Sequence, residues 1–160
     1  MGEEATPAAD FASRLRTERD ALLAFITLLE TERTTLTAGH IEQLLELVNS
    51  KTQAAQELNK LESARRSDLL ACGVAIEPDS IESWLKTQEH DQLPLWREIL
   101  RLAEQAKQLN HTNGALIQTR LRHNQQMLTA LHNAANSVHG LYGPDGQPHI
   151  TSSGRTLGSV

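Results

Sequence analysis

Residues 93–140 read LPLWREILRLAEQAKQLNHTNGALIQTRLRHNQQMLTALHNAANSVHG, and this stretch decides the fold. Pro94 sits where the first turn of a helix tolerates a missing N–H. The next proline is Pro144, and Gly114 is the only glycine before Gly140. About 46 residues can therefore form one helix, roughly 70 Å long at 1.5 Å per residue. Such a length is too great for the side of an ordinary globule and points to a coiled coil or bundle. Leu95, Ile99, Leu102, Ala106, Leu109, Asn113 and Leu116 follow a 4–3 rhythm. The rhythm slips by one residue beside Asn110, Asn113 and Gly114. It then resumes through Ile117, Leu121, Asn124, Leu128, Leu131, Ala135, Val138 and Tyr142. This spacing turns one narrow stripe toward partner helices.

Upstream, glycine and proline divide the chain. Thr6 and Pro7 read as N-cap and first helical residue. Phe11, Leu15, Leu22, Ile26, Leu29 and Leu36 mark a helix over about 7–36. After the interruption at Gly39, a second stripe runs through Ile41, Leu44, Leu45, Val48, Ala55, Leu58, Leu61 and Leu69. It predicts a helix over about 40–72, ended by Gly73 as a C′ glycine. Gly39 marks a turn or a kink, and two helices of this length on so short a link favour an antiparallel hairpin. Asp79 and Glu82 have capping-box spacing and predict a short helix over about 79–90. Beyond residue 140 the chain turns to glycine, proline and small polar residues, which bury too little apolar surface to offset ordering entropy. The expected fold is all-α: an elongated antiparallel helical bundle or coiled coil, one domain over 1–140. A long C-terminal helix over about 93–139 completes it, followed by a flexible tail over 141–160.

Composition narrows the function. Hydrophobic residues make up 39% of the 160 and aromatics only 3%, so leucine and alanine must build the core. The net charge is −5, with basic residues interspersed among acidic ones, which argues against nucleic-acid binding. Cys72 is the only cysteine, so no internal disulfide or cysteine zinc site forms. No apolar run suits a signal peptide or membrane span, and the expected compartment is the cytoplasm without membrane insertion. Met1, Gly2 and Thr6 fit a myristoylation pattern, but Glu3 and Glu4 oppose an anionic membrane and no second anchor follows.

No catalytic constellation is present. The seven histidines are scattered, none three or four residues from another and none three residues after a glutamate. Helical metal pairs and the Glu-x-x-His pattern of di-iron bundles are thus missing. Phosphate loops, nucleophile elbows and zinc spacings are also missing, so no cofactor or metal is expected. Cys72 at a helix C-terminus is disfavoured as a thiolate. Asn110, Asn113 and Asn124 lie on or beside the apolar stripe, where polar residues either set register or hydrogen-bond a partner. Gly114 mid-helix implies a close backbone approach or a bend, since it costs about 1 kcal/mol against alanine. Trp84 and Trp96 read as core anchors. Arg14, Arg16, Glu18, Arg19 and Asp20 read as a solvated face, as do Glu62, Arg65 and Arg66.

Three motifs carry a family resemblance. They are Leu109-Asn110-His111-Thr112-Asn113-Gly114, then Arg122-His123-Asn124-Gln125-Gln126, then Leu141-Tyr142-Gly143-Pro144-Asp145-Gly146-Gln147. Together they resemble the LN-x-x-NG, RxNQQ and LYGxDGQ motifs of the flagellar export chaperone FlgN family. The likeness is specific over residues 93–160 and generic before them. It implies a cytoplasmic, non-enzymatic chaperone of bacterial flagellar type III export. Its implied clients are the two hook–filament junction (hook-associated) proteins, bound by their C-terminal helices, kept from early assembly and delivered to the export gate. The implied client site maps to Ile117, Leu121, Asn124, Leu128, Leu131, Ala135 and Val138. Tyr142 maps to docking on the export-gate platform protein.

The residues support this independently. A short third helix cannot cover the second half of so long a fourth, so its leucine stripe should be partly exposed, as at interaction sites. An amphipathic client helix could pack along it. Tyr142, the only tyrosine, would make an aromatic anchor on a flexible tether, or would only cap the helix stripe. The same stripe equally permits self-pairing in a homodimeric coiled-coil adaptor. The expected state is a monomer or weak homo-oligomer.

Overall fold

Among the described residues the chain forms four helices and no strand: α1 (Pro7–Ala38), α2 (Ile41–Ala71), α3 (Pro78–Leu85) and α4 (Leu93–Leu141). The structure is a computed structural model that describes residues 7–88 and 92–141, with side chains for 11–40, 42–88 and 92–135. The packing forms two units, Met1–Leu116 and Ile117–Val160. Their boundary falls inside α4, beside the slip in its apolar rhythm.

The break at Gly39 is a full turn. Gly39 takes a positive φ of 84°, which glycine adopts without a Cβ clash. Its N–H and that of His40 both donate to the Thr35 carbonyl, closing the end of α1. The threonines of α1 are weak helix formers. Thr27, Thr31, Thr34 and Thr37 adapt by donating their hydroxyls to carbonyls one turn back. Gly73, with φ 71°, ends α2 in a Schellman motif. Val74 N–H reaches Leu69 O at 2.9 Å and Gly73 N–H reaches Leu70 O at 3.0 Å. The accompanying apolar contact is present, since Leu69 and Val74 both belong to the core.

α1 and α2 run antiparallel, and charge pairs set their register. Arg14 meets Asp68 at 2.6 Å, Glu18 meets Arg65 at 2.8 Å, and Glu32 meets Lys51 at 3.0 Å. Glu18 and Glu32 lie two heptads apart, as do Lys51 and Arg65, so both pairs fit one register. Glu18 and Glu32 are buried, and the Arg65 guanidinium also stacks 4.9 Å from the Trp96 ring. The solvated-face reading therefore fails at Glu18 and Arg65. Both occupy positions where a 4–3 stripe would carry leucine, and each charge is taken from water only because its partner is there.

The second stripe also shifts. The half-buried face of α2 runs through Leu47, Lys51, Ala54, Leu58, Leu61, Arg65 and Asp68, an unbroken 4–3 rhythm. Leu45 and Val48, expected on that face, are 70% and 49% exposed. Among the described residues, Leu69 is the one side chain of α2 that enters the fully buried core.

The remaining core joins α1, α3 and the first half of α4. Phe11, Leu15, Leu22, Ile26 and Leu29 meet Ile81, Leu85, Trp96, Ile99, Leu102 and Ala106. Trp96 is buried, and Trp84 packs edge-on to Phe11 at 5.3 Å between ring centroids. α3 begins one residue early and lacks the expected capping box. Pro78 takes the first helical position, so extended Glu77 becomes the N-cap and its carbonyl accepts from Ser80 and Ile81. Asp79 falls inside the first turn, and Glu82 turns instead to Lys86 and Arg97. The helix stops at Leu85 rather than near residue 90. Thr87 and Gln88 donate backbone N–H groups to carbonyls three residues back, and the Thr87 hydroxyl also takes the Trp84 carbonyl.

Candidate protein-docking face

In the first unit, α4 buries its stripe. Trp96, Ile99, Leu102, Ala106 and Asn113 are at most 5% exposed, with Leu95 and Leu109 partly buried against the same core. Asn113 is fully buried. Its Nδ2 donates to Leu29 O at 2.8 Å and to Glu32 Oε2 at 2.7 Å. Glu32 also accepts two bonds from Lys51 Nζ, at 3.0 and 3.1 Å. One polar cluster thus ties α1, α2 and α4 together. The buried Asn113 Oδ1 has no hydrogen-bond partner, so it is the paired Nδ2 that discriminates against a shifted register, because a slip would break both of its bonds. Asn110 is exposed and takes no part in it. Gly114 does not mark a close approach: a Cβ built there meets nothing within 4 Å.

The second unit carries the opposite surface. Ile117, Leu121, Leu128 and Leu131 are 42%, 58%, 67% and 64% exposed. Asn124 and Ala135 on the same stripe are exposed too, as is Met127 beside it. Every residue from Leu121 to Ala135 is open to solvent. Written as heptads, Leu121, Leu128 and Ala135 take a positions and Ile117, Asn124 and Leu131 take d positions. Covering a leucine fully gains roughly 1.5–3 kcal/mol, so a ladder of four large apolar side chains favours association. An amphipathic helix laid along the stripe is the recognition mode that matches its spacing. The side chain of Val138 and the whole of Tyr142 lie outside the described residues.

Among the described residues, no three His, Cys, Asp or Glu side chains are placed to share a metal ion. Cys72 is exposed, and no described helix is long and apolar enough to cross a membrane. The sequence reading missed Glu18, Glu32, Lys51 and Arg65 as buried or half-buried groups and Met127 as part of the exposed face. A signal for the charges existed: each fills a gap in a 4–3 rhythm.

The chain resembles known proteins over most of its length. The profile of the FlgN protein family matches residues 8–150. Two flagella synthesis proteins FlgN, both from Yersinia enterocolitica and one of them from serotype O:8, are 34% identical over 142 residues. Each match covers 74% of this chain and 94% of the relative. A Pseudomonas aeruginosa crystal structure described as a flagella synthesis protein FlgN superposes with a TM-score of 0.63 at 19% identity. It covers 73% of this chain and 90% of its own, a likeness of fold. The LN-x-x-NG cluster, the helical order and the family match agree, and the chain belongs to the FlgN protein family.

Proposed function

We propose that the chain is a cytoplasmic flagellar type III export chaperone that acts by binding and not by catalysis. Its clients are hook–filament junction proteins, held by their C-terminal helices until the export-gate platform protein receives them. Family membership and the flagella synthesis proteins it resembles support a role in flagellar assembly. The observation that carries the reading is the exposed ladder Ile117, Leu121, Leu128 and Leu131. These side chains serve a client in place of a core. Asn124, Ala135 and Val138 complete the client face, and Tyr142 is assigned to the export gate. The free chaperone is a monomer or a weak homo-oligomer.

The test is a calorimetric titration of the full chain with the C-terminal helical segment of a hook–filament junction protein. Saturable one-to-one binding is expected. Leu128→Ala or Leu131→Asp should weaken it about tenfold or more, as the loss of one buried leucine implies, with unchanged circular dichroism. Equal affinity in a folded variant rejects the site. A tight dimer that ignores the segment would instead favour the self-pairing adaptor. Tyr142→Ala should spare client affinity and impair export in cells, and a collapse of client affinity would overturn that division of labour.

A further inference from the structure

The exposed face of the second unit carries a reactive group besides its leucines. The chain has two methionines and one cysteine, so sulfur occurs at Met1, Cys72 and Met127 alone. Met127 belongs to α4 and is 53% exposed. It precedes Leu128 and takes a g position, beside the a and d residues of the stripe. On a helix surface, residues three and four apart are neighbours. Met127 therefore adjoins Asn124 one turn back and Leu131 one turn on, both exposed positions of the docking stripe. A helix laid along the ladder closes over the Met127 thioether together with Leu128 and Leu131.

An unbranched thioether adapts to the shape of an apolar partner, and it has a chemistry that leucine lacks. Hydrogen peroxide transfers one oxygen atom to an accessible thioether. The O–O bond breaks, an S–O bond forms, sulfur is oxidised, and water leaves. The sulfoxide is polar and accepts hydrogen bonds. In the free chain this side chain already faces water, so the new oxygen is hydrated at little cost to the fold. Under an apolar helix the same oxygen loses its water and gains no donor, the penalty of any buried unpaired polar group. We propose that Met127 is an oxidation site that regulates docking: its sulfoxide weakens helix binding and leaves the fold unchanged. This inference rests on the docking reading above and adds regulation of that same face. The step is reversible. A methionine sulfoxide reductase with a dithiol removes the oxygen as water, and the dithiol is oxidised to a disulfide.

The test uses the full chain carrying Cys72→Ser, which removes the one thiol. The probe is the C-terminal helical segment of a hook–filament junction protein, added once the peroxide is removed. After peroxide treatment, peptide mapping by mass spectrometry should place one added oxygen on Met127, with unchanged circular dichroism. Affinity for the segment should fall about tenfold, as burial of an unpaired polar group implies. Reductases for both sulfoxide epimers, with dithiothreitol, should restore it. Met127→Leu should bind as tightly as the untreated chain and keep its affinity after peroxide. Met127→Gln, which places a polar group there without oxidant, should bind more weakly. Three results overturn the inference and leave the docking face standing: equal affinity of oxidised and untreated chains, Met127 left unoxidised while Met1 is oxidised, or an equal loss in peroxide-treated Met127→Leu. A loss of helicity on oxidation overturns it too, because Met127 would then support the fold. Failure of the untreated, folded chain to bind the segment removes the docking face and this inference with it.

Discussion

The two halves of α4 share one apolar rhythm and opposite fates. From Trp96 to Asn113 the stripe is covered by α1, α2 and α3, and from Ile117 to Ala135 it is bare. A 4–3 pattern states that a face seeks a partner helix, and it does not state whether that helix belongs to the same chain. In the first unit the chain supplies its own partners and adds a polar cluster at Asn113 to fix their register. In the second the leucines remain available. A fold that left such a face open without use would risk aggregation.

The comparison breaks most sharply at paired leucines. Leu102→Ala should destabilise the chain by about 2–5 kcal/mol in urea unfolding, because it empties a site inside a packed core. Leu128→Ala should stay within about 0.5 kcal/mol of the native chain, as at other exposed positions. A Leu128→Ala loss as large as that of Leu102→Ala would show that the second half is core after all. Next in size is the polar cluster. Asn113→Ala should cost about 1–3 kcal/mol, the range for losing buried hydrogen bonds, here those from Nδ2 to the Leu29 carbonyl and the Glu32 carboxylate. An Asn113→Ala chain of native stability would show that hydrophobic packing alone sets the register of the first half.

Gly114→Ala has the opposite sign. Nothing lies within 4 Å of the added Cβ, so the chain should gain up to about 1 kcal/mol from helix propensity. A loss would restore the close-approach reading. The smallest effect is electrostatic. Hydrogen bonds from Arg97 and then Lys86 hold the Glu82 carboxyl below its ordinary pKa. A lowered folded value means that Glu82 favours the folded state above its unfolded pKa, and that this support is lost as pH falls through the folded value. The group is on the surface, so the effect on stability should be slight. An NMR titration should show its pKa rising toward the ordinary value in Arg97→Gln, and no rise would remove Arg97 as the cause.

Legibility in the sequence followed period and punctuation. The helices of the first 71 residues were readable because Pro7, Gly39 and Gly73 mark their ends and leucines recur between them. The short α3 was read less well. Proline at the first helical position outranked a capping box that looked complete on paper, and the Thr87 turn stopped the helix early. The buried charges escaped because a lone Glu or Arg suggests solvent. Glu18 and Arg65 become core groups only as a pair, and they stand 47 residues apart. The docking stripe was legible as apolar, and its bareness was anticipated only by arguing that a short α3 could not cover it.

The sequence by itself determined the helical class, the four elements, the turn glycines and the 4–3 stripe of α4, because these depend on local backbone sterics and on spacing along one chain. Only the tertiary structure decided which gaps in those stripes are filled by paired charges, that Asn113 bonds α1 rather than a foreign helix, and which half of α4 is covered. Those outcomes depend on distances between residues far apart in sequence, and neither periodicity nor propensity carries that information.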